Sequence, residues 1–297
     1  MKNTATLLIT CPDAKGIVAS IADFLYQHNA NILHADQHQD AENNLFLMRV
    51  EWDATGFTSG ESNFNLDEVA FSKAFSPIAF KFSMQWQLKL SQHKTRVAIM
   101  VSQYDHCLAD LLHRHKSGEM ACEIPLVISN HRDTEALVKF YGIDFHYLPV
   151  TKETSLTKDN KAEVEAAQFK LFDDYNIDLI VLARYMQILS PDFVARYPQR
   201  IINIHHSFLP AFIGARPYHR AFERGVKLIG ATGHYVTEVL DEGPIIEQDI
   251  DRISHRDQVE DLIQKGRDLE RSVLAKAVRW HIENRILLYA NKTVIFD

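Results

Sequence analysis

Residues 4–10 (TATLLIT) form a nearly continuous β-branched and apolar run, which CPDAKG (11–16) interrupts with loop chemistry, so a strand followed by a loop is predicted. Ile17, Ile21, Phe24, Leu25 and His28 then recur at helical spacing and give one stripe to lay against a sheet, with Asp13 placed to help cap the helix. Residues 31–39 and 45–52 read as two strands joined by the polar turn 40–44, a hairpin pattern. A second helix is expected near residues 67–80 and an alternating strand over 82–90. The resulting order, βαββαβ, is that of a ferredoxin-like fold.

The polar stretch SQHKT (91–95) reads as a linker. Beyond it, strand-like segments at 96–101, 124–128, 145–149 and 177–183 alternate with helical periods at 107–113, 135–141 and 161–175. Such alternation implies βαβ units around an open, mostly parallel, Rossmann-like sheet, whose ligands bind beyond the carboxyl ends of the strands. Further strands are expected at 230–236 and 244–250, and a long helix with charge on one face at 257–283. No repeat or low-complexity tract interrupts this pattern. The expected α/β organisation is thus one domain over residues 1–90 and another over 91–297.

Length supports that division, since 297 residues is about twice the usual size of one domain. The formal charge of −7, with no long basic run, makes nucleic acid a poor partner and argues against a tRNA-handling enzyme. The apolar run near the N-terminus is too short for a signal peptide or a membrane span, so no membrane association and a cytoplasmic location are expected. Cys11, Cys107 and Cys122 form no C-x-x-C pair, which points to reduced thiols rather than a disulfide framework or a zinc knuckle.

Candidate chemistry concentrates in IINIHHSFLP (201–210), an apolar strand that ends in a polar cluster. Alternation along the strand points Asn203 and His205 one way, and Ile204 and His206 the other. LDEGP (240–244) then places Asp241 on a turn between two strands. These residue types suit water attack on an amide-like carbonyl. Asn203 and a protonated His205 would donate to the oxygen on which charge builds, each donor contributing roughly 3–4 kcal/mol. Asp241 would accept the proton of the attacking water and orient the imidazole.

Taken singly, each residue has a blander reading: a strand-end histidine is more often structural, and an aspartate before Glu-Gly-Pro is usually turn chemistry. Metal binding by His205 and His206 is weaker still, because adjacent strand residues face opposite sides and no H-E-x-x-H motif occurs. A serine nucleophile at Ser207 with His205 and Asp241 lacks the G-x-S-x-G elbow. No G-x-G-x-x-G follows the strand at 96–101, so a nicotinamide cofactor has no fingerprint.

NIHHSFLP (203–210) together with DEGPII (241–246) resembles the N-x-H-x-S…L-P and D-x-G-P-I-I signatures of the folate-dependent formyltransferase fold, and within it the formyltetrahydrofolate deformylase family. VLARYMQIL (181–189) is similar to that family's folate-pocket segment, and PAFIGARPYH (210–219) to its loop after the signature. CPDAKGIV (11–18), Asn31, Ile32 and MRVE (48–51) resemble the ACT domain that precedes the catalytic domain in that family, so the likeness spans nearly the whole chain.

The resemblance implies hydrolysis of 10-formyltetrahydrofolate to formate and tetrahydrofolate, supplying formate for purine synthesis and balancing one-carbon pools. It implies Asn203, His205 and Asp241 as the catalytic trio, and Arg184, Met186, Gln187, Ile188, Leu189 and Leu240 as substrate contacts. It further implies Asp13, Gly16, Ile17 and Asn31 as a site for an amino-acid effector such as glycine or methionine, and a homo-oligomer. Folate is then the substrate and no separate cofactor is expected.

Departures from the wider fold sharpen this. Transferases that formylate glycinamide ribonucleotide carry a glycine-rich phosphate cradle after their first strand, where this chain has SQYDHC (102–107), and a backbone without glycines cannot approach a phosphate as closely. His206 stands where they usually have proline. Both differences favour water as the acceptor over the alternative, formyl transfer to a small amine. A non-enzymatic sensor is a third reading, against which the joint presence of the trio speaks. Ala14 and Gln187 stand where the ACT loop and the folate segment often have arginine.

Overall fold

The computed structural model describes residues 3–58, 66, 68–151, 159–210 and 217–297, and the chain in it divides into two compact units. Residues 1–94 with 283–297 make the first, and residues 95–282 the second. The tail therefore departs from the expected 91–297 division and returns to the N-terminal unit.

In the first unit, β1 (Thr4–Pro12) lies between β3 (Leu45–Asp53) and β4 (Gln85–Leu90), and β2 (Asn31–Asp40) pairs outside β3, all antiparallel. The helices α1 (Ile17–Gln27) and α2 (Glu68–Lys81) pack on one sheet face through Ile21, Phe24, Phe71 and Phe75 against Leu7, Ile9, Val50 and Trp52. This is the βαββαβ order expected from the pattern, although residue 67, where the second helix was expected to begin, lies outside the described residues.

Alternation sends Leu8 and Leu47 to the opposite face. There a hairpin of β12 (Ile286–Tyr289) and β13 (Lys292–Ile295), unforeseen from the sequence, covers them with Leu287 and Phe296. Arg49 on that face donates from Nε to the Asn284 carbonyl at 3.0 Å and from Nη2 to Glu51 at 2.7 Å.

The second unit is a seven-stranded sheet in the order β11-β10-β9-β8-β5-β6-β7. Its parallel strands are β5 (Arg96–Val101), β6 (Glu123–Ser129), β7 (Asp144–Tyr147), β8 (Leu179–Leu182) and β9 (Ile201–His205). The strands β10 (Leu228–Tyr235) and β11 (Ile245–Arg252) run antiparallel at one edge. Strands β5 and β8 are apolar almost throughout and buried, as strands covered on both faces must be.

Helices α3 (His106–Ser117), α4 (Glu135–Phe140), α5 (Lys161–Asp174), α6 (Pro191–Arg196), α7 (Pro217–Arg224) and α8 (Val259–Ile282) complete the unit. The two short helices α6 and α7 were not anticipated. The chain runs from β5 outward to β7 and then returns to β8 on the other side of β5. This reversal opens a crevice beyond the strands' carboxyl ends. Among the described residues, no helix is long and apolar enough to cross a membrane.

Candidate active site

A cavity of about 560 Å³ lies at this crevice, lined by the segments after β5, β8 and β9, the turn after β10, and α8. Strand β9 delivers Asn203 and His205 to it, and its antiparallel neighbour β10 sets His234 opposite Asn203. Asn203 Nδ2 donates to His234 Nε2 over 3.2 Å, which requires that ring nitrogen to be unprotonated. His234 Nδ1 in turn donates to the Tyr235 carbonyl at 2.9 Å. Burial holds the His234 imidazole below its ordinary range, so the neutral ring in this tautomer satisfies both bonds. The asparagine amide is thereby oriented and keeps its second hydrogen for an oxygen in the cavity.

His205 Nδ1 lies 3.2 Å from Asp241 Oδ1, and His234 Nε2 3.8 Å from the same oxygen. Burial pushes the Asp241 carboxyl up, but the hydrogen bond from His205 and the neighbouring imidazoles outweigh it, so the group ends below the usual carboxylate range. His205 Nε2 is buried and has no hydrogen-bond partner, which leaves it for a ligand of the cavity that the ring lines.

The motif around Asp241 has a steric origin: a Cβ at Gly243 would come within 1.8 Å of the Tyr235 carbonyl oxygen. Only glycine lets the chain pass there, and the turn it closes holds Asp241 in the left-handed region at φ 58, which aspartate tolerates.

The six expected substrate contacts, Arg184, Met186, Gln187, Ile188, Leu189 and Leu240, all line this cavity. Met186, Ile188 and Leu240 are each more than half exposed, an apolar rim for a flat, partly apolar ligand. His206 differs from expectation: β9 ends at His205 and the chain bends, so the two rings stack at 5.1 Å rather than facing opposite sides. Burial, then the nearby Arg184 charge, lowers His206 to about 4.

Several cavity residues escaped the sequence reading. Glu270 on α8, 1% exposed, accepts from Tyr218 Oη at 2.6 Å and His106 Nε2 at 2.7 Å, and faces Arg184 Nε at 3.5 Å. Burial opposes its ionisation, yet these partners hold it below the usual range. Its approach to Tyr218 depends on Gly266, one helical turn earlier, where a Cβ would meet Tyr218 Oη at 2.1 Å.

His106, Cys107 and Glu270 also bring three metal-type donors within 4.8 Å of one another. Burial raises the Cys107 thiol well above its ordinary range, and both Glu270 oxygens and His106 Nε2 are engaged in hydrogen bonds.

The expected effector residues do not converge in one chain. Asp13 lies beside the β2–β3 turn, accepting from Gln39 Nε2 at 2.6 Å, and its side chain does not cap α1, which starts after Gly16. Ile17 is buried in the core. Asn31 pairs opposite Asp53 whereas Gln39 pairs opposite Phe46, which puts Asn31 at the other end of β2, on the order of 25 Å from Gln39 at the strand rise. The loop at 211–216, part of the family-like segment, lies outside the described residues.

The formyl transferase family matches residues 95–278 and the ACT domain family residues 5–59. A formyltetrahydrofolate deformylase of Synechocystis sp. is 57% identical, covering 99% of this chain and 98% of that protein. One from Bacillus subtilis is 51% identical over 98% of this chain and 93% of its own length. The crystal structure of a formyltetrahydrofolate deformylase from Pseudomonas syringae pv. tomato superposes with a TM-score of 0.92 at 47% identity, covering 100% of this chain and 95% of that one.

Proposed function

Because the chain belongs to the formyltetrahydrofolate deformylase family, we propose that it hydrolyses 10-formyltetrahydrofolate to formate and tetrahydrofolate with Asn203, His205 and Asp241. The observation that carries these roles is the convergence of an amide, an imidazole and a carboxylate on one cavity.

Water adds to the formyl carbon and passes a proton to Asp241. Asn203 Nδ2 and the Nε2 proton of an imidazolium at His205 stabilise the developing oxyanion, while His205 Nδ1 stays bonded to Asp241. The bond from carbon to N10 then breaks, N10 takes up the proton, and formate leaves. The rim residues Met186, Ile188 and Leu240 take the apolar part of the folate. The family description also admits formyl transfer to an amine, so the deciding assay follows formate release from 10-formyltetrahydrofolate with no amine present. Tetrahydrofolate released only when an amine is added, with an N-formylamine in place of formate, would sink the hydrolytic reading.

The ACT domain supports a small-molecule effector. We assign its amino-acid site, for glycine or methionine, to the loop from Asp13 to Ile17, in a homo-oligomer working in the cytoplasm. Calorimetric titration with each amino acid tests it, and the absence of heat with all of them would leave the domain a purely structural one.

A further inference from the structure

One wall of the cavity is built from charged side chains that the hydrolytic mechanism leaves unused. Arg184 combines two unfavourable features: its backbone sits at φ 64, where glycine would rest more easily, and its Nε and Nη1 are buried without hydrogen-bond partners. Strain and under-satisfied donors at one residue mark a side chain kept for its place in the cavity rather than for stability. Glu270 pins it from α8, and the Tyr104 ring lies 5.3 Å from its guanidinium and 5.8 Å from that of Arg267.

The position of this network gives it a task. His206 stacks on His205 at 5.1 Å and lies 6.4 Å from the Tyr218 ring, so rings connect the trio to Glu270 without a break. The trio itself does not distinguish water from an amine, because both add to the same carbonyl and lose a proton to the same base. Selectivity must come from what the rest of the cavity admits, by exclusion rather than affinity.

Resting on the hydrolytic reading above, we propose that Arg184, held by Glu270, is a specificity-determining residue that closes the acceptor side of the cavity and reserves the formyl carbon for water. Removing it turns the enzyme partly into a formyl transferase toward small primary amines.

The test uses the full chain, 10-formyltetrahydrofolate and glycinamide as the amine probe. Hydrolysis yields formate and tetrahydrofolate in equal amounts. In transfer, the formyl carbon leaves N10 for the amine nitrogen, an amine proton passes to N10, and N-formylglycinamide replaces formate. The wild type is expected to give equal amounts at every glycinamide concentration. Arg184→Gly is expected to divert roughly a tenth or more of its turnovers to N-formylglycinamide, a scale set by the modest discrimination a pocket achieves by size. Added guanidinium, by refilling the space, is expected to reverse this.

Glu270→Gln, nearly isosteric, should release Arg184 and give a smaller diversion of the same sign, which decides the matter if Arg184→Gly does not fold. Equal formate and tetrahydrofolate in every variant that folds, or N-formylglycinamide from the wild type, overturns the proposal. A wild type that releases neither formate nor tetrahydrofolate would instead sink the hydrolytic reading.

Discussion

At Asp241, geometry and charge together set an expected loss. Its carboxylate lies 3.2 Å from His205 Nδ1, and in the proposed role it takes the proton of the attacking water, so Asp241→Asn should lower kcat by about two to three orders of magnitude while substrate affinity changes little. Steady-state kinetics beside a folate-binding titration separate the two effects, and wild-type kcat would remove the residue from the mechanism.

His206 carries a pH prediction. The unfolded chain protonates this residue below about 6.5, whereas the folded protein, with burial and then Arg184 opposing the charge, does so only below about 4. Its contribution to stability is therefore fully present above pH 6.5 and is lost as pH falls toward 4. Melting temperatures of His206→Asn should fall less steeply across that window than those of the wild type; parallel curves would refute the assignment.

The meeting of Asn203, His205 and Asp241 at one cavity was legible because these residue types sit in short motifs at a strand end and a turn. Glu270 was not, since within a helix rich in charge nothing in one sequence tells a buried carboxylate from a solvated one. His234 became readable only once strand register set it across from Asn203.

Among the elements, the strands of both sheets and the longer helices followed from periodicity, because period-two and helical apolar spacing survive packing. In α6 the buried residues are the neighbours Phe193 and Val194, which make no helically spaced stripe. The hairpin at β12 and β13 did leave a trace: Leu8 of β1 and Leu45 and Leu47 of β3 are apolar positions on the sheet face that the helices leave uncovered.

Helix α8 yields the prediction proper to this scale. A central glycine costs a helix roughly 1 kcal/mol relative to alanine, so propensity alone favours Gly266→Ala. The added methyl would displace the buried Tyr218 ring and break its bond to Glu270, a loss of about 1–3 kcal/mol that should dominate. Urea unfolding showing a more stable variant would contradict this account.

For the whole molecule, the return of the tail to the first unit is the informative departure. Deleting residues 283–297 would bare Leu8 and Leu47, worth roughly 3–6 kcal/mol if both became fully exposed. Hydrogen exchange should then quicken in β1 and β3 and leave the strands around the cavity unchanged; uniform loss of protection would show that the units do not unfold separately. The same route of the chain bears on dissection. A protease cut within 91–94 would not free the N-terminal sheet, because its backing would still hang from the end of α8, and a recombinant fragment stopping at residue 94 would be an incomplete object, sticky on one side. Any effort to study the N-terminal unit alone has to splice the last fifteen residues back onto it.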